Sequence, residues 1–242
     1  MVMPRKAMPR VAIVAALERE VKPLVSNWRH SDQQHQGRRF RFFEKDDKVL
    51  VCGGIGSDAA RRAAEAVIAL FSPEVIYSVG FAGGLDPALR VGDLLVPRAV
   101  IDARDSSRIE TGEGQGVLVT FDSVADLQQK LNLHRAYSAQ AVDMEASAVA
   151  RAAEGHGIHF AAVKAISDEG DFALPSTDRF IAADGRFSVA SFAVFAAVRP
   201  WTWASVIRLA RNSGRASRSL CRWLQAHDGV PSTTGAEDST SN

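Results

Sequence analysis

The chain has 242 residues, 46% of them hydrophobic, and a formal net charge of +1. This size and apolar content suit one large domain with a sizeable core, and the balanced charge gives no global field for binding nucleic acid. Two distant cysteines, Cys52 and Cys221, predict reduced cytosolic thiols rather than a disulfide framework. The six histidines show no metal-ligand spacing, and the longest apolar run, 187–198, is too short to span a bilayer.

Apolar runs alternate with amphipathic segments along most of the chain. The first run, 11–16, predicts a buried strand, and 18–25 predicts a helix. Ser57 or Asp58 is predicted to cap the helix that follows the turn 53–56. The other predicted strands are 40–43, 49–53, 75–79, 93–100, 117–121, 140–142 and 160–166, and the other predicted helices are 57–70, 124–131, 144–155 and the segment from 175 to about 226, with a loop at 101–115.

This alternation predicts an α/β fold, a three-layer sandwich with a central mixed, mostly parallel sheet. Residues 1–10 are predicted to be a flexible N-terminus. They are not predicted to be a signal peptide, because they contain no apolar segment before a cleavage site. Residues 11–227 are predicted to form a single domain that ends in a basic amphipathic helix. The polar segment 228–242 is predicted to be a disordered tail.

Two glycine-rich turns follow predicted strands. Gly53-Gly-Ile-Gly56 could bind an anion at a helix N-terminus, although position 59 is alanine and the dinucleotide-binding pattern is therefore incomplete. Gly80-Phe-Ala-Gly-Gly84 would let a flat ligand approach the backbone closely. A plain turn is the alternative interpretation of both.

Three carboxylates lie at the ends of three predicted strands. Glu20 is in the first turns of the first helix, Glu145 begins the helix after 140–142, and Asp168 follows the strand 160–166. Each one alone would be an ordinary helix-surface or capping residue. Because ligands bind at strand ends in α/β sheets, the three together predict a ligand site.

Short motifs between residues 11 and 171 occur in a characteristic order: Ala15-Ala-Leu-Glu-Arg-Glu-Val21, Gly54-Ile-Gly56, Ala82-Gly-Gly-Leu85 with Val91-Gly-Asp93, Val142-Asp-Met-Glu-Ala146 and Ala165-Ile-Ser-Asp168. Together they resemble the nucleoside phosphorylase and nucleosidase superfamily, within it the methylthioadenosine/S-adenosylhomocysteine nucleosidases. The segment Val117-Leu-Val-Thr-Phe-Asp-Ser-Val124 and the ending that starts at Arg199-Pro-Trp resemble the hopanoid-associated phosphorylases most.

The resemblance implies hydrolysis of the N-glycosidic bond of a 5′-substituted adenosine, of the methylthioadenosine, S-adenosylhomocysteine or adenosylhopane type, with release of adenine. It implies that Asp168 protonates or hydrogen-bonds the purine N7 and that Glu20 activates the attacking water. A general acid at the base and carboxylates near the sugar suit an oxocarbenium-like transition state. The implied substrate-binding residues are Glu145 at the ribose hydroxyls, Met144 beneath the sugar, Ser167 orienting Asp168, and Phe81, Ala82, Gly83 and Val124.

The chain departs from its relatives at three positions. Phe81 stands where many relatives carry a serine that helps to hold phosphate, which favours hydrolysis. Lys164 occupies a position often held by arginine and loses the bidentate fork, and Val124 lies near the place of a base-stacking phenylalanine. Water is therefore the expected co-substrate, with no cofactor and no metal, and phosphate takes its place if the protein is a phosphorylase.

Two alternatives to hydrolysis stay open. One is phosphorolysis of a purine nucleoside or of adenosylhopane, and the other is a nucleoside-binding, membrane-associated module whose chemistry has decayed. A homodimer is expected by family analogy alone. A purine nucleoside is the expected small-molecule partner.

The C-terminal segment is basic. Between 199 and 223 there are six arginines and no acid, and their three- and four-residue spacing predicts one stripe on a helix. The stripe is either a solvated face or a peripheral contact with an anionic membrane, and nucleic acid is not expected because no recognised motif accompanies it. The predicted location is the cytoplasm, with contact at the inner membrane face as the alternative. The stripe is Arg208, Arg211, Arg215, Arg218 and Arg222, with Trp201, Trp203, Ile207, Leu220 and Trp223 nearby.

Overall fold

The computed structural model describes residues 10–172, 182, 185 and 203–227, with backbone only for 203–206. The predicted tail 228–242, nearly all of the predicted N-terminal segment and most of the predicted helical region between 175 and 202 lie outside the described residues. So does Trp201, and the side chain of Trp203 is likewise not described.

Eleven strands in the described part form one mixed sheet. Its centre is parallel and consists of β1 (Val11–Ala15), β4 (Lys48–Cys52), β5 (Val75–Gly84) and β11 (His159–Asp168). Antiparallel pairs extend the sheet beyond β4 through β3 (Arg38–Lys45) and β2 (Arg29–His35). The remaining strands are β6 (Leu94–Leu95), which pairs with β11, and β7 (Ala99–Asp102), β8 (Arg108–Glu110), β9 (Val117–Thr120) and β10 (Ala141–Asp143) beyond β5.

Helices cover both faces of the sheet. Helix α1 (Glu18–Val25) packs with α5 (Trp203–Ala226) on one face, and α2 (Ser57–Phe71) packs with α4 (Ala146–Gly155) on the other. Helix α3 (Leu127–Tyr137) lies against β9 and β10. Buried alanines on α2 and α4 let these two helices approach closely. The predicted three-layer α/β fold with a mixed sheet is confirmed.

Several local predictions were wrong, and each has a physical reason. Strand β2 was not predicted because its sequence is polar; it is held by backbone pairing with β3 at the sheet edge. The predicted strand 93–100 is two short strands, separated at Pro97, which has no N–H to donate. The predicted loop 101–115 contains β8, and α3 begins at Leu127, where Asp126 accepts a capping hydrogen bond of 2.8 Å from the Gln129 N–H.

The predicted cap of α2 is also wrong. The N-cap is Gly56, at a φ of +94°, and not Ser57 or Asp58. The Ser57 hydroxyl donates instead to the Met144 carbonyl at 3.2 Å. Glycine suits this position because a side chain is strained at such a φ. The turn therefore joins α2 to the start of α4.

A gap opens along one edge of β5. On that edge β5 pairs with β1 as far as Val79 and with β10 from Gly83 onward. The opposite edge is occupied by β11 through Gly83. Gly80, Phe81 and Ala82 therefore lie where the neighbouring strands diverge, which is the kind of place where open α/β sheets bind ligands.

Candidate functional site

A cavity of about 200 Å³ lies at the gap beside β5. Its walls come from the ends of β1, β5, β10 and β11, from α1 and from α5. The sequence prediction had placed the site residues on separate elements, and the fold brings them together. Every predicted site residue lines this cavity: Glu20, Phe81, Ala82, Gly83, Val124, Met144, Glu145, Ser167 and Asp168.

Asp168 reaches the cavity through an irregularity in β11. The register with β5 shifts between Ile166 and Asp168, so Ser167 is an extra residue opposite Gly83. Bulges of this kind re-aim side chains near functional sites. The Ser167 hydroxyl donates to Asp168 Oδ1 at 2.7 Å, with the Ala82 carbonyl at 3.4 Å. The hydroxyl of Ser167 thus holds one oxygen of Asp168, which is the contact that the family resemblance implies for Ser167.

The second oxygen of Asp168 meets a residue that the sequence analysis missed. Lys130, on α3, donates to Asp168 Oδ2 at 2.5 Å and to the Glu169 carbonyl at 2.9 Å. Both side chains of the ion pair are only 3% exposed. Asp168 is therefore held between a hydroxyl and an ammonium, while it still lines the cavity.

Gly83 makes room for this ion pair. A Cβ at position 83 would lie 3.0 Å from Asp168 Oδ2 and 3.4 Å from Lys130 Cε. A larger residue would therefore press on both partners of the pair. The predicted turn 80–84 is instead the end of strand β5, where glycine allows a close approach between the backbone and a carboxylate.

Glu20 is buried on the core-facing side of α1, in line with Leu24 one turn later. Its Oε2 accepts a 3.4 Å hydrogen bond from the Leu17 N–H. Gly80, at a φ of +145°, leaves space for the carboxylate, since a Cβ there would lie 2.8 Å from Glu20 Oε2. Helix α5 secures this part of α1, because the Ser217 hydroxyl donates to the Glu20 carbonyl at 2.9 Å.

Glu145 is the N-cap residue of α4. Its Oε1 accepts a 2.8 Å hydrogen bond from the Gly56 N–H, at the N-terminus of α2, and its Oε2 accepts one of 3.3 Å from the Met144 N–H. The first glycine-rich turn thus directs a backbone donor at an anion, and that anion is a side chain of the same site. Met144 forms the adjoining wall of the cavity.

A buried ion pair joins one carboxylate of the cavity, Asp143, to Lys164, which does not line the cavity. Lys164 Nζ is 2.9 Å from Asp143 Oδ2 and donates to the Ser78 hydroxyl at 3.1 Å. Asp143 also accepts hydrogen bonds from the Thr120 hydroxyl at 2.7 Å and from the Ala146 N–H at 2.9 Å. This network fixes the end of β10 against β11 and supplies a permanent positive charge.

The electrostatics of Glu20 and Glu145 follow from burial. Removal from water raises the pKa of Glu20 to about 7, the charge of Glu145 adds to the rise, and Lys164 opposes it. Burial, followed by the charge of Asp143, raises the pKa of Glu145 to about 7. Burial acts to lower the pKa of Lys164, but the neighbouring carboxylates outweigh it and the pKa is raised. Near neutral pH each of the two glutamates can therefore take up or release a proton, whereas Lys164 stays charged.

Asp143 and Lys130 are site residues that the sequence analysis did not propose. Asp143 lies within the Val142-Asp-Met-Glu motif, in which only Glu145 was assigned a role. One feature of the sequence could have indicated that Lys130 is buried. It lies three residues before Leu133, which places both side chains on the same, buried side of α3. No cluster of three His, Cys, Asp or Glu side chains suited to a metal ion occurs among the residues that the structure describes.

Comparison with known proteins gives related sequences and folds. The chain is 26% identical to the 5′-methylthioadenosine/S-adenosylhomocysteine nucleosidase of Haemophilus influenzae (strain PittEE), over 67% of this chain and 87% of the relative. It is 26% identical to the nucleosidase of the same name from Staphylococcus aureus (strain JH9), over 65% and 86%.

Two solved structures from Helicobacter pylori have the same fold. One is a 5′-methylthioadenosine/S-adenosylhomocysteine nucleosidase, with a TM-score of 0.69 and 16% identity over 91% of this chain and 98% of that one. The other is futalosine hydrolase, with a TM-score of 0.68 and 16% identity over 90% and 97%. The family model described as "Phosphorylase superfamily" matches residues 10–127 and 110–198, well over half of the chain. The chain therefore belongs to the phosphorylase superfamily.

Proposed function

We propose that the protein hydrolyses the N-glycosidic bond of a 5′-substituted adenosine and releases adenine. The observation that carries this proposal is the arrangement of carboxylates along β5. Glu20 lies beside Gly80 and Asp168 beside Gly83, two positions about 10 Å apart along the strand at about 3.3 Å per residue, and both side chains line the same cavity. This distance leaves room for a nucleoside with its base at Asp168 and its sugar toward Glu20.

The mechanism follows from this placement. Water attacks C1′ of the ribose as the bond to the purine breaks and its electron pair moves into the base. The base takes a proton at N7 from the side of Asp168, and Glu20 takes the proton that the water loses. With a pKa of about 7, Glu20 is matched to proton transfer near neutral pH. Glu145 binds the ribose hydroxyls and, with Glu20, stabilises positive charge that develops on the sugar.

The charge of the cavity supports water over phosphate as the co-substrate. Its described lining contains four carboxylates and one guanidinium, that of Arg19. Asp168 and Asp143 already pair with Lys130 and Lys164, and a phosphate dianion would be repelled by Glu20 and Glu145 in their ionised forms. Phe81 adds an aromatic wall in place of a hydroxyl donor. The carboxylates are Glu20, Asp143, Glu145 and Asp168.

A groove of about 700 Å³ between α1 and α5 adjoins the cavity and supports a bulky 5′ group. Phe81 and Leu209 line both the cavity and the groove, and Pro23 and Ala210 add apolar surface to the groove. Apolar walls suit an apolar substituent. Adenosylhopane is therefore a candidate substrate beside methylthioadenosine and S-adenosylhomocysteine, which would connect the protein to hopanoid biosynthesis.

Helix α5 bears on the proposed contact with a membrane. The arginine stripe is exposed, whereas Ala216, Leu220 and Leu224 on the opposite side are buried against the domain. No helix in the described part of the chain is long and apolar enough to cross a bilayer. Attraction between the stripe and anionic lipid would thus be mainly electrostatic. Replacing Arg208, Arg211 and Arg215 by glutamine should weaken pelleting with anionic vesicles, and unchanged pelleting would refute the contact.

The assembly and location complete the proposal. We expect a homodimer by family analogy, and light scattering of the purified protein tests it. Cytoplasmic location is supported by the free thiols of Cys52 and Cys221.

The deciding experiment measures adenine release from methylthioadenosine, S-adenosylhomocysteine, adenosine and adenosylhopane, each with and without phosphate. Release without phosphate supports hydrolysis, and release that requires phosphate makes the protein a phosphorylase. Tight binding with no turnover of any substrate would indicate a nucleoside-binding module. Asp168→Asn should lower kcat by roughly 10²-fold or more with the fold intact, and wild-type turnover would remove Asp168 from the mechanism.

A further inference from the structure

Lys130 has no role in the hydrolysis described above, although it touches the carboxylate at its centre. Its side chain is 3% exposed, and its ammonium lies 2.5 Å from Asp168 Oδ2. It is absent from the cavity walls, so it approaches Asp168 from behind. Helix α3 brings it there from 38 residues away in the sequence.

A packing role does not account for this lysine. Burial of an ammonium is costly unless it is paired and hydrogen-bonded, and a leucine or methionine beside Leu133 would fill the same space at no such cost. The charge of Lys130 is met by Asp168 and by the carbonyl dipole of Glu169. The lysine is therefore held in place by a direct hydrogen bond to the carboxylate of Asp168.

The hydrogen bonds at Asp168 are those of an ionised carboxylate. Oδ1 accepts from the Ser167 hydroxyl, and Oδ2 accepts from the Lys130 ammonium. An ionised carboxylate is only an acceptor and has no proton for a departing purine. The pair does have one, because an ammonium with a carboxylate contains the same protons as an amine with a carboxylic acid.

We propose that the Lys130–Asp168 pair, and not Asp168 alone, is the general acid of the site, with Lys130 as its positioning residue and source of the proton. As the bond between C1′ and the purine breaks, N7 takes a proton from Asp168 and Asp168 takes one from Lys130. Lys130 is left as an amine, and Glu20 carries the proton from the attacking water. Exchange with solvent after product release returns both residues to their starting states. This inference rests on the proposed nucleoside hydrolysis.

The test uses two leaving groups on the same sugar. Methylthioadenosine needs a proton on its departing base, whereas a 4-nitrophenyl riboside with the same 5′-methylthio group releases a stable anion without one. Lys130→Met should lower kcat for methylthioadenosine by roughly 10²-fold, the lower end of the contribution of general acid catalysis, with little change in KM. The nitrophenyl riboside should be cleaved at nearly the wild-type rate. Lys130→Arg keeps the charge but cannot release its proton, so it should not restore kcat for methylthioadenosine.

Two controls separate this role from a structural one. Arg135→Met removes an exposed charge from the same helix and should leave both rates unchanged. In the Asp168→Asn background, Lys130→Met should cause little further loss, because Lys130 acts through Asp168. Lys130→Gln keeps hydrogen-bond donors without charge and replaces the methionine variant if that protein does not fold.

The outcomes distinguish the two proposals. Equal loss with both leaving groups, wild-type turnover of methylthioadenosine by Lys130→Met or Lys130→Gln, or a full additional loss in the Asp168→Asn background would each overturn the role of Lys130. Wild-type protein that cleaves neither substrate would defeat the proposed hydrolysis instead, before any variant is compared.

Discussion

Glu20→Gln should abolish turnover and at the same time stabilise the protein at alkaline pH. Glu20 is 5% exposed, and burial raises its pKa from 4.5 to about 7. The folded protein therefore retains a proton on Glu20 over a pH range in which the unfolded chain has lost it. Glutamine keeps the shape of the side chain and an oxygen for the Leu17 N–H, but it carries no charge.

The size of the effect follows from linkage. At about 1.4 kcal/mol per pKa unit, a rise from 4.5 to about 7 costs the ionised side chain about 3 kcal/mol of folding free energy. Because the folded pKa is raised, this cost is absent below pH 4.5, grows between pH 4.5 and 7, and is complete above pH 7. Glu20→Gln removes it and should increase the free energy of unfolding at pH 8 by about 3 kcal/mol.

The assay is urea unfolding of both proteins at pH 4 and pH 8, together with adenine release at pH 7. Groups outside the cavity titrate alike in the two proteins, so the difference between them reports on Glu20 together with Glu145, whose charge acts on it. Glu18→Gln is the matched control, since Glu18 is exposed on the same helix and should change neither the pH dependence of stability nor turnover. A stability difference that is independent of pH, or a variant that is less stable at pH 8, would refute the buried-charge argument. Retained turnover would remove Glu20 as the base.

Two further predictions concern the surroundings of Glu20. Gly80→Ala should lower kcat by roughly 10²-fold, because its Cβ would lie 2.8 Å from Glu20 Oε2 and displace the carboxylate. Gly37→Ala, at a φ of +75° in open space, is the control and should strain the backbone without loss of turnover. Equal rates for the two variants would contradict this prediction. Lys164→Met should lower the free energy of unfolding by about 3 to 5 kcal/mol, measured by urea unfolding, because it leaves Asp143 as an unpaired buried charge; an unchanged urea midpoint would show that the pair is dispensable.

The local pattern of the sequence predicted the layers of the fold. Continuous apolar runs such as 11–16 favour buried strands, and the alanine-rich segment 57–70 favours a helix packed on one side. Strand β2 was not predicted, because backbone pairing at a sheet edge needs no apolar side chains. Patterning therefore predicts elements that bury side chains and misses those held by backbone alone.

The sequence predicted those residues of the candidate site that lie at the ends of strands. Glu20, Glu145 and Asp168 follow strands β1, β10 and β11. Strands β1 and β10 flank the gap on one edge of β5 and β11 ends on the opposite edge, so the three carboxylates share one cavity. The family motifs also assigned their expected roles, and the family assignment is confirmed. The chemical roles stay predictions until turnover is measured.

The sequence by itself determined the alternation of strands and helices, the order of the motifs and the carboxylates at the strand ends, because these depend on residues close together in the chain. Only the tertiary structure decided which charges meet. Lys130 and Asp168 are 38 residues apart, and the Gly56 N–H and Glu145 are 89 apart. A buried charge takes whichever partner the packing brings within hydrogen-bond reach, since water is not there to solvate it. That choice depends on helix position and strand register across the whole sheet, and no local pattern contains it.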